Sequence, residues 1–345
     1  MVRWITLFCA LFLSAFQAHA APPTDRILLV VSSHGREGGK AQPGYEMDEL
    51  AQAWLVFRAN GMDVDIASPA GGPVVADAYD PAKPYNAAFG VDADAQGKIS
   101  QSLPLTTDMA GQYSAIMVIG GKGAMFDLPF SQVLQRLLVE NEARGGVVAA
   151  VCHGPAVFAR IRNADGSPWI SGRRVTGFAD EEEAMFGKEW VPHFPFLLES
   201  ELRRLGAEFS EAPIMLPHVA VDGRLVTGQN PYSVAAAAEA VVQALGRQPL
   251  AREPWTDERS LDLVAQAIGG DAEPLETAMA ENRAAIDVPL VAIWGYYRSL
   301  QANGDPALLA PALRIMELAQ PHFPEPELDK AIAAARATLA NPQQP

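Results

Sequence analysis

The chain has 345 residues, 49% of them hydrophobic and 19% charged, enough apolar material for one large domain or two modest ones with a sizeable core. Its 26 basic residues stand against 41 acidic ones, and the net charge of −15 argues against nucleic acid and anionic lipid surfaces as partners.

The first segment, "MVRWITLFCALFLSAFQAHA" (1–20), carries a basic Arg3, an apolar stretch from Ile5 to Phe16 and the small-x-small site Ala18-His19-Ala20. That is the pattern of a secretory leader cleaved after Ala20, because the apolar stretch is shorter than the roughly 20 residues a membrane span needs. The expectation is a periplasmic or secreted protein with no membrane attachment once the leader is gone. Cleavage removes Cys9 and leaves Cys152 as the one cysteine, so no intramolecular disulfide can form. An unpaired cysteine in an exported chain is either a reactive thiol or a buried bystander.

Next come "RILLVVSSHG", a strand, and "YEMDELAQAWLVFRANG", whose apolar residues recur at helical spacing until Asn60-Gly61 stops them. "MDVDIASPAGG" reads as a strand, "YSAIMVIGGKGAMFD" as a strand with a glycine loop, "PFSQVLQRLLVENEARGG" as a helix and "VVAAVCHG" as a buried strand. Between them, Ala76 to Thr107 is rich in Pro, Asp and Gly and reads as an irregular insertion beside the sheet. A helix "PAVFARI", strands around "RRVTGFAD", "AEFSEAP" and "HVAVDGRLVTGQ", and an alanine-rich helix "SVAAAAEAVVQAL" come after it. This alternation predicts an α/β domain over 21–248 with a doubly wound, mainly parallel sheet covered on both faces. From about Pro254 the strand signal ends, and 254–345 reads as a helical C-terminal extension. Within it "ALLAPALRIMELAQPHFPEPELDKAIAAARATL" looks like one degenerate helix pair of the tetratricopeptide type, with packing onto the main domain as the better-supported reading.

The most informative stretch is "GGVVAAVCHGPAVF". Ligands of a doubly wound sheet collect at the carboxyl ends of its strands, which is where Cys152 stands. A strand-to-helix turn with Gly154 behind the nucleophile and Pro155 at the first helical position presents the sulfur outward, and a helix amino end favours the thiolate. The alternative for Cys152 is a small core residue ending a buried strand.

Together with "VTGFADEEE" and "VDGRLVTGQNPYS", this stretch resembles the PfpI superfamily, related to the Parkinsonism-associated protein and to class I glutamine amidotransferase domains. Within it, the 31-kDa heat-shock chaperone and glyoxalase III branch is the most similar. The resemblance spans roughly Arg26 to Leu245 and implies a flavodoxin-like, class I glutamine amidotransferase-like fold. It implies that Glu49, in "PGYEMDELA", shares a proton with the nucleophilic Cys152, with Glu46 and Asp48 as fallbacks. His153 matches the family's histidine, and the acid that orients it comes from "FADEEE", as Glu183 or as Asp180. Gly120 and Gly121 of "GGKGAMFD" correspond to a loop whose amides line an anion pocket. Lys122 departs from the histidine more usual there, which bears on how an aldehyde is held.

The implied activity is a cofactor-independent, glyoxalase III-like conversion of a small 2-oxoaldehyde such as methylglyoxal to a 2-hydroxy acid. A cysteine hydrolase acting on peptides or amides is the second reading, and a holdase chaperone or oxidative-stress protein the third. Glutamine hydrolysis is demoted because His193, His218 and His322 are not followed by the His-x-Glu pattern of class I glutaminases. A homodimer fits the same resemblance. The histidines lack metal-ligand spacing, His34 at a strand end being the one of interest, so no metal is expected. The glycines form neither a dinucleotide fingerprint nor a P-loop, so no nucleotide or other cofactor is expected.

Overall fold

In the computed structural model, which describes residues 26–340, the apolar run Arg26–Val30 forms strand β1 with every residue after Arg26 buried. The leader assigned to 1–20 lies outside the described residues. Helix α1 (Met47–Ala59) buries Leu50, Trp54 and Phe57 along one stripe. Gly61, at φ 72°, then takes the left-handed position that ends a helix, its N–H bonding Arg58 O at 3.0 Å. Strand β2 (Asp63–Ser68) comes next.

The stretch read as irregular, 76–107, instead holds helices α2 (Pro84–Val91) and α3 (Ala93–Ser100) and a short edge strand β3 (Leu103–Pro104). Its Pro and Asp residues are helix starters rather than breakers: Pro84 occupies a first-turn position of α2, and Asp92 caps α3 by accepting from the N–H groups of Asp94 and Ala95. Both helices lie over α1, where Trp54 meets Phe89 edge-on at 5.8 Å and donates its indole N–H to Asp92 at 2.9 Å.

Strand β4 (Ala115–Val118), the single turn α4 (Ala124–Asp127), helix α5 (Gln132–Ala143) and strand β5 (Val147–Val151) complete the first half. The chain continues through β6 (Arg174–Val175), α6 (Asp180–Phe186), α7 (Leu198–Arg204), β7 (Glu208–Phe209), β8 (Val219–Asp222), β9 (Leu225–Gly228) and α8 (Val234–Ala244). The main sheet has the order β3-β2-β1-β4-β5-β9-β8, parallel throughout except for β8 against β9. Its longer parallel strands run second, first, third, fourth, fifth, which is flavodoxin-like winding with the switch point between β1 and β4.

Two strand assignments change. "HVAVDGRLVTGQ" is a hairpin, with Gly223 at φ 61° between β8 and β9, and the strands around "RRVTGFAD" and "AEFSEAP" pair only with each other as β6 and β7. Along the central strands successive residues face opposite layers: Leu28, Ile116 and Val148 belong to one core, Leu29, Met117 and Ala149 to the other.

The extension comprises α9 (Thr256–Ile268), α10 (Glu273–Glu281), α11 (Val288–Gln301), α12 (Pro306–Ala319) and α13 (Pro326–Ala340). It has its own core around Leu261, Leu275, Val291, Trp294 and Ile315, which also takes in Ile214, Met215 and Leu216 of the sheet domain. Helices α11 and α12 meet closely at Gly295, where a Cβ would stand 2.7 Å from Met316 Cγ. The helix pair singled out in the sequence is α12–α13, and it packs within this bundle rather than starting a repeat array. Among the described residues no helix is long and apolar enough to cross a membrane.

Candidate active site

The cysteine turn is built by β5. The Cys152 N–H still bonds Gly228 O of β9 at 2.9 Å, but its φ of 56° lies in the left-handed region, a costly conformation for a side chain other than glycine. Neighbouring side chains in an extended strand point apart, whereas this turn brings Cys152 Sγ and His153 Nδ1 to 3.3 Å. Two glycines make room for it. A Cβ on Gly154 would lie 2.5 Å from Val118 O, and one on Gly120 would lie 2.7 Å from the Cβ of Cys152.

On one flank, the buried His153 ring rests at 4.6 Å from Phe178 and its Nε2 pairs with Glu183 Oε2 at 2.8 Å. A hydrogen bond from Nε2–H to Glu183 leaves the Nδ1 lone pair facing the sulfur. Glu183 is therefore the acid that meets the histidine. Asp180 is not, since it sits at the start of α6, where its carboxylate accepts from the Ser200 hydroxyl and its N–H donates to Glu199 at 2.9 Å.

On the other flank, α1 carries the fully buried Glu49, whose Oε2 accepts from the Gly120 N–H at 2.7 Å. Burial, then the nearby charge of Glu46, pushes its carboxyl up to about 8, against the opposing pull of hydrogen bonds from Cys152 and Gly120. Glu46 is half-buried and is raised to about 7 by burial and by Asp48 and Asp77, with Lys122 acting the other way. Asp48 faces elsewhere: it holds Lys83 Nζ at 2.5 Å, the Tyr85 hydroxyl at 3.2 Å and Asn86 Nδ2 at 2.6 Å.

Burial, then the negative charge of Glu49, pushes the Cys152 thiol well above its ordinary range, and the Gly121 N–H draws it back. The thiolate expected from a helix amino end is thus not the resting form. Past Cys152 the chain runs in 3-10 turns, Gly154–Arg160, rather than in an α-helix, and burial is the largest influence on the thiol. The glycine loop also differs from expectation. The Gly120 N–H is engaged by Glu49 and does not face a substrate, whereas the Gly121 N–H faces the sulfur.

The thiol opens on a cavity of about 200 Å³. Its polar lining includes His153, Lys122, Glu46 and Glu182, and its apolar wall is Phe178, Phe186, Met215 and Tyr232. Glu182 was not singled out in the sequence. Buried, it accepts from the N–H groups of Ala179 and Met215 and from the side-chain amides of Gln229 and Asn230, at 2.9 to 3.2 Å. Burial nonetheless raises it to about 7 against those bonds. The adjacent amides in "GQNPYS" were the one sequence signal for a buried carboxyl. His34 stands apart from the cavity lining, stacked on Phe126 at 4.6 Å. Among the described residues no group of three or more His, Cys, Asp and Glu is arranged to hold a metal ion.

The sequence model of the DJ-1/PfpI family matches residues 41–244, more than half of the chain. The chain belongs to the DJ-1/PfpI family. Every residue of the thiol site falls within the DJ-1/PfpI segment, and helices α9 to α13 fall outside it. Among relatives, the chain is 30% identical over 243 residues to the glutathione-independent glyoxalase hsp3101 of Schizosaccharomyces pombe, covering 63% of this chain and 95% of that protein. It is 31% identical over 235 residues to the glutathione-independent glyoxalase HSP31 of Saccharomyces cerevisiae, covering 64% and 98%. Among solved structures, glyoxalase III from Candida albicans matches with a TM-score of 0.57 at 27% identity, covering 64% of this chain and 97% of that one. The Rapid Encystment Protein of 24 kDa from Francisella tularensis matches with a TM-score of 0.59 at 30% identity, covering 64% and 99%.

Proposed function

We propose that this protein is a glutathione-independent glyoxalase that converts a small 2-oxoaldehyde and water to a 2-hydroxy acid, using Cys152 as nucleophile. The observation that carries the reading is one sulfur flanked by a histidine–carboxylate pair and by a carboxyl raised to about 8. A base with a pKa near the working pH is at once partly ionised and able to hold a proton. The names of the relatives point the same way.

In the first step the thiol adds to the aldehyde carbon, and His153 Nδ1 takes the thiol proton and returns it to the new hydroxyl, giving a hemithioacetal. Glu49, as carboxylate, removes the proton from that carbon to give an enediolate, and the hydroxyl proton of the same carbon passes to the neighbouring oxygen. As the acid so formed, it delivers a proton to the neighbouring carbon, leaving a thioester of the 2-hydroxy acid on Cys152. Water activated by His153 then cleaves the thioester and restores the thiol. Stabilisation of the developing oxyanion is assigned in this reading to the Gly121 N–H, which faces the sulfur, and to Lys122, which lines the cavity.

The same Cys152–His153–Glu183 array suits acyl transfer, which favours a cysteine hydrolase as the second reading, and thioester cleavage already belongs to the glyoxalase cycle. The test is conversion of methylglyoxal to lactate without glutathione by the wild type and by Cys152→Ala. Turnover by the wild type alone supports the reading, and equal rates reject it.

A further inference from the structure

The helices beyond the family segment touch, through α11, the segments that line the cavity. The ring of Tyr297 meets that of Phe186 edge-on, with centroids 5.1 Å apart and planes at 82°. Phe186 lines the cavity and packs against both the sheet-domain core and the core of the extension. One helical turn earlier, the fully buried Trp294 donates its indole N–H to Ile214 O at 3.0 Å. The next residue, Met215, lines the cavity with a φ of 62°. A non-glycine residue keeps such a conformation only where its surroundings over-determine it. Here they do so from two sides, through Trp294 at the preceding carbonyl and Glu182 at the Met215 N–H. Gln301 and Arg298 add polar ties to Glu181 on α6, at 3.1 and 3.7 Å.

We propose that the C-terminal extension backs the wall of the active site: Tyr297 and Trp294 are positioning residues that set the lining residues Phe186 and Met215, and these select the substituent carried by the aldehyde. Both selecting side chains are apolar and stand together with Phe178 and Tyr232 on the cavity lining. The substrate class this wall fits is therefore a 2-oxoaldehyde with an apolar, aromatic-compatible substituent. That consequence for substrates rests on the glyoxalase reading, whereas the wall itself does not.

The test reads access to Cys152 directly, as the rates at which the small reagent iodoacetamide and the bulky N-phenylmaleimide modify it, measured on the Cys152 peptide by mass spectrometry. Removing the edge-on contact in Tyr297→Ala is expected to raise the bulky-to-small rate ratio about three- to tenfold, the range such an aromatic contact corresponds to. Tyr297→Phe keeps the ring and should keep the wild-type ratio. Should Tyr297→Ala fail to melt cooperatively, Tyr297→Leu, which fills the space without the aromatic contact, takes the same readout with the same expectation. An unchanged ratio in the folded variant overturns the proposal. The relative kcat/KM for phenylglyoxal and methylglyoxal should shift in the same variants. A shifted alkylation ratio in a protein that turns over neither aldehyde would keep the wall and reject the glyoxalase reading.

Discussion

The two flanks of Cys152 are both closed by a buried glutamate, yet they are built differently. Glu49 comes from α1, beside the switch point of the sheet, and touches the sulfur's surroundings directly, with one oxygen held by the Gly120 N–H and Oε1 making no bond of ordinary geometry. Glu183 comes from α6, in the segment between β5 and β9, and meets the sulfur only through His153. Both carboxyls keep an Oε1 without a hydrogen-bond partner, so the other oxygen's partner separates them: a carboxyl beside the thiol with a raised pKa is suited to carrying a proton, and one paired with a histidine to fixing its orientation and tautomer. Burial alone therefore does not define a glutamate's role at this thiol; its partner does.

Removing what the flanks share has the largest effect. Cys152→Ala is expected to lower methylglyoxal turnover without glutathione by at least about a thousandfold, as loss of a covalent nucleophile does, measured as lactate formed. Glu49→Gln keeps an acceptor for Gly120 but cannot carry the proton, so kcat should fall about a hundred- to ten-thousandfold while iodoacetamide still labels Cys152. Glu183→Gln acts only through His153 and should cost less than Glu49→Gln, on the order of ten- to a hundredfold, because the amide oxygen can still accept from Nε2–H and hold the ring. If Glu183→Gln proved as damaging as Glu49→Gln in kcat, the division of roles between the flanks would be lost. Asp180→Asn, away from the pair, should stay within about twofold of wild type, as for other substitutions outside such features.

Stability sharpens the same contrast. Glu49 titrates near 8 in the folded chain against an ordinary value of 4.5, so its contribution to stability is fully present below about 4.5 and is lost as pH rises through about 8. Glu49→Gln, which cannot ionise, should therefore melt several degrees above the wild type at pH 9, with the gap closing toward pH 5. Thermal unfolding at the two pH values checks this.

The alternation of strands and helices and the cysteine elbow were legible because each depends on local order, a buried run and glycines at a turn, whereas Glu49, His153 and Glu183 came from the family resemblance and not from any local pattern. The choice between Glu183 and Asp180 needed the packing of α6 against α7, where Ser200 and Glu199 engage Asp180. Helices α2 and α3 were hidden because Pro84 and Asp92 act as starters only when the chain around them has a surface, here α1, to cover. The hold of Glu49 on the Gly120 amide, the raised thiol and the role of Glu182 come from groups brought together across distant segments, which no local pattern encodes.

The central claim is that Glu49 moves a proton on a substrate already bonded to Cys152. In Glu49→Gln, methylglyoxal should slow the alkylation of Cys152 by iodoacetamide in proportion to its concentration, because the sulfur is held as a hemithioacetal, while almost no lactate forms. Lactate formation at the wild-type rate in that variant, or an alkylation rate of Cys152 that methylglyoxal leaves unchanged, would contradict the account.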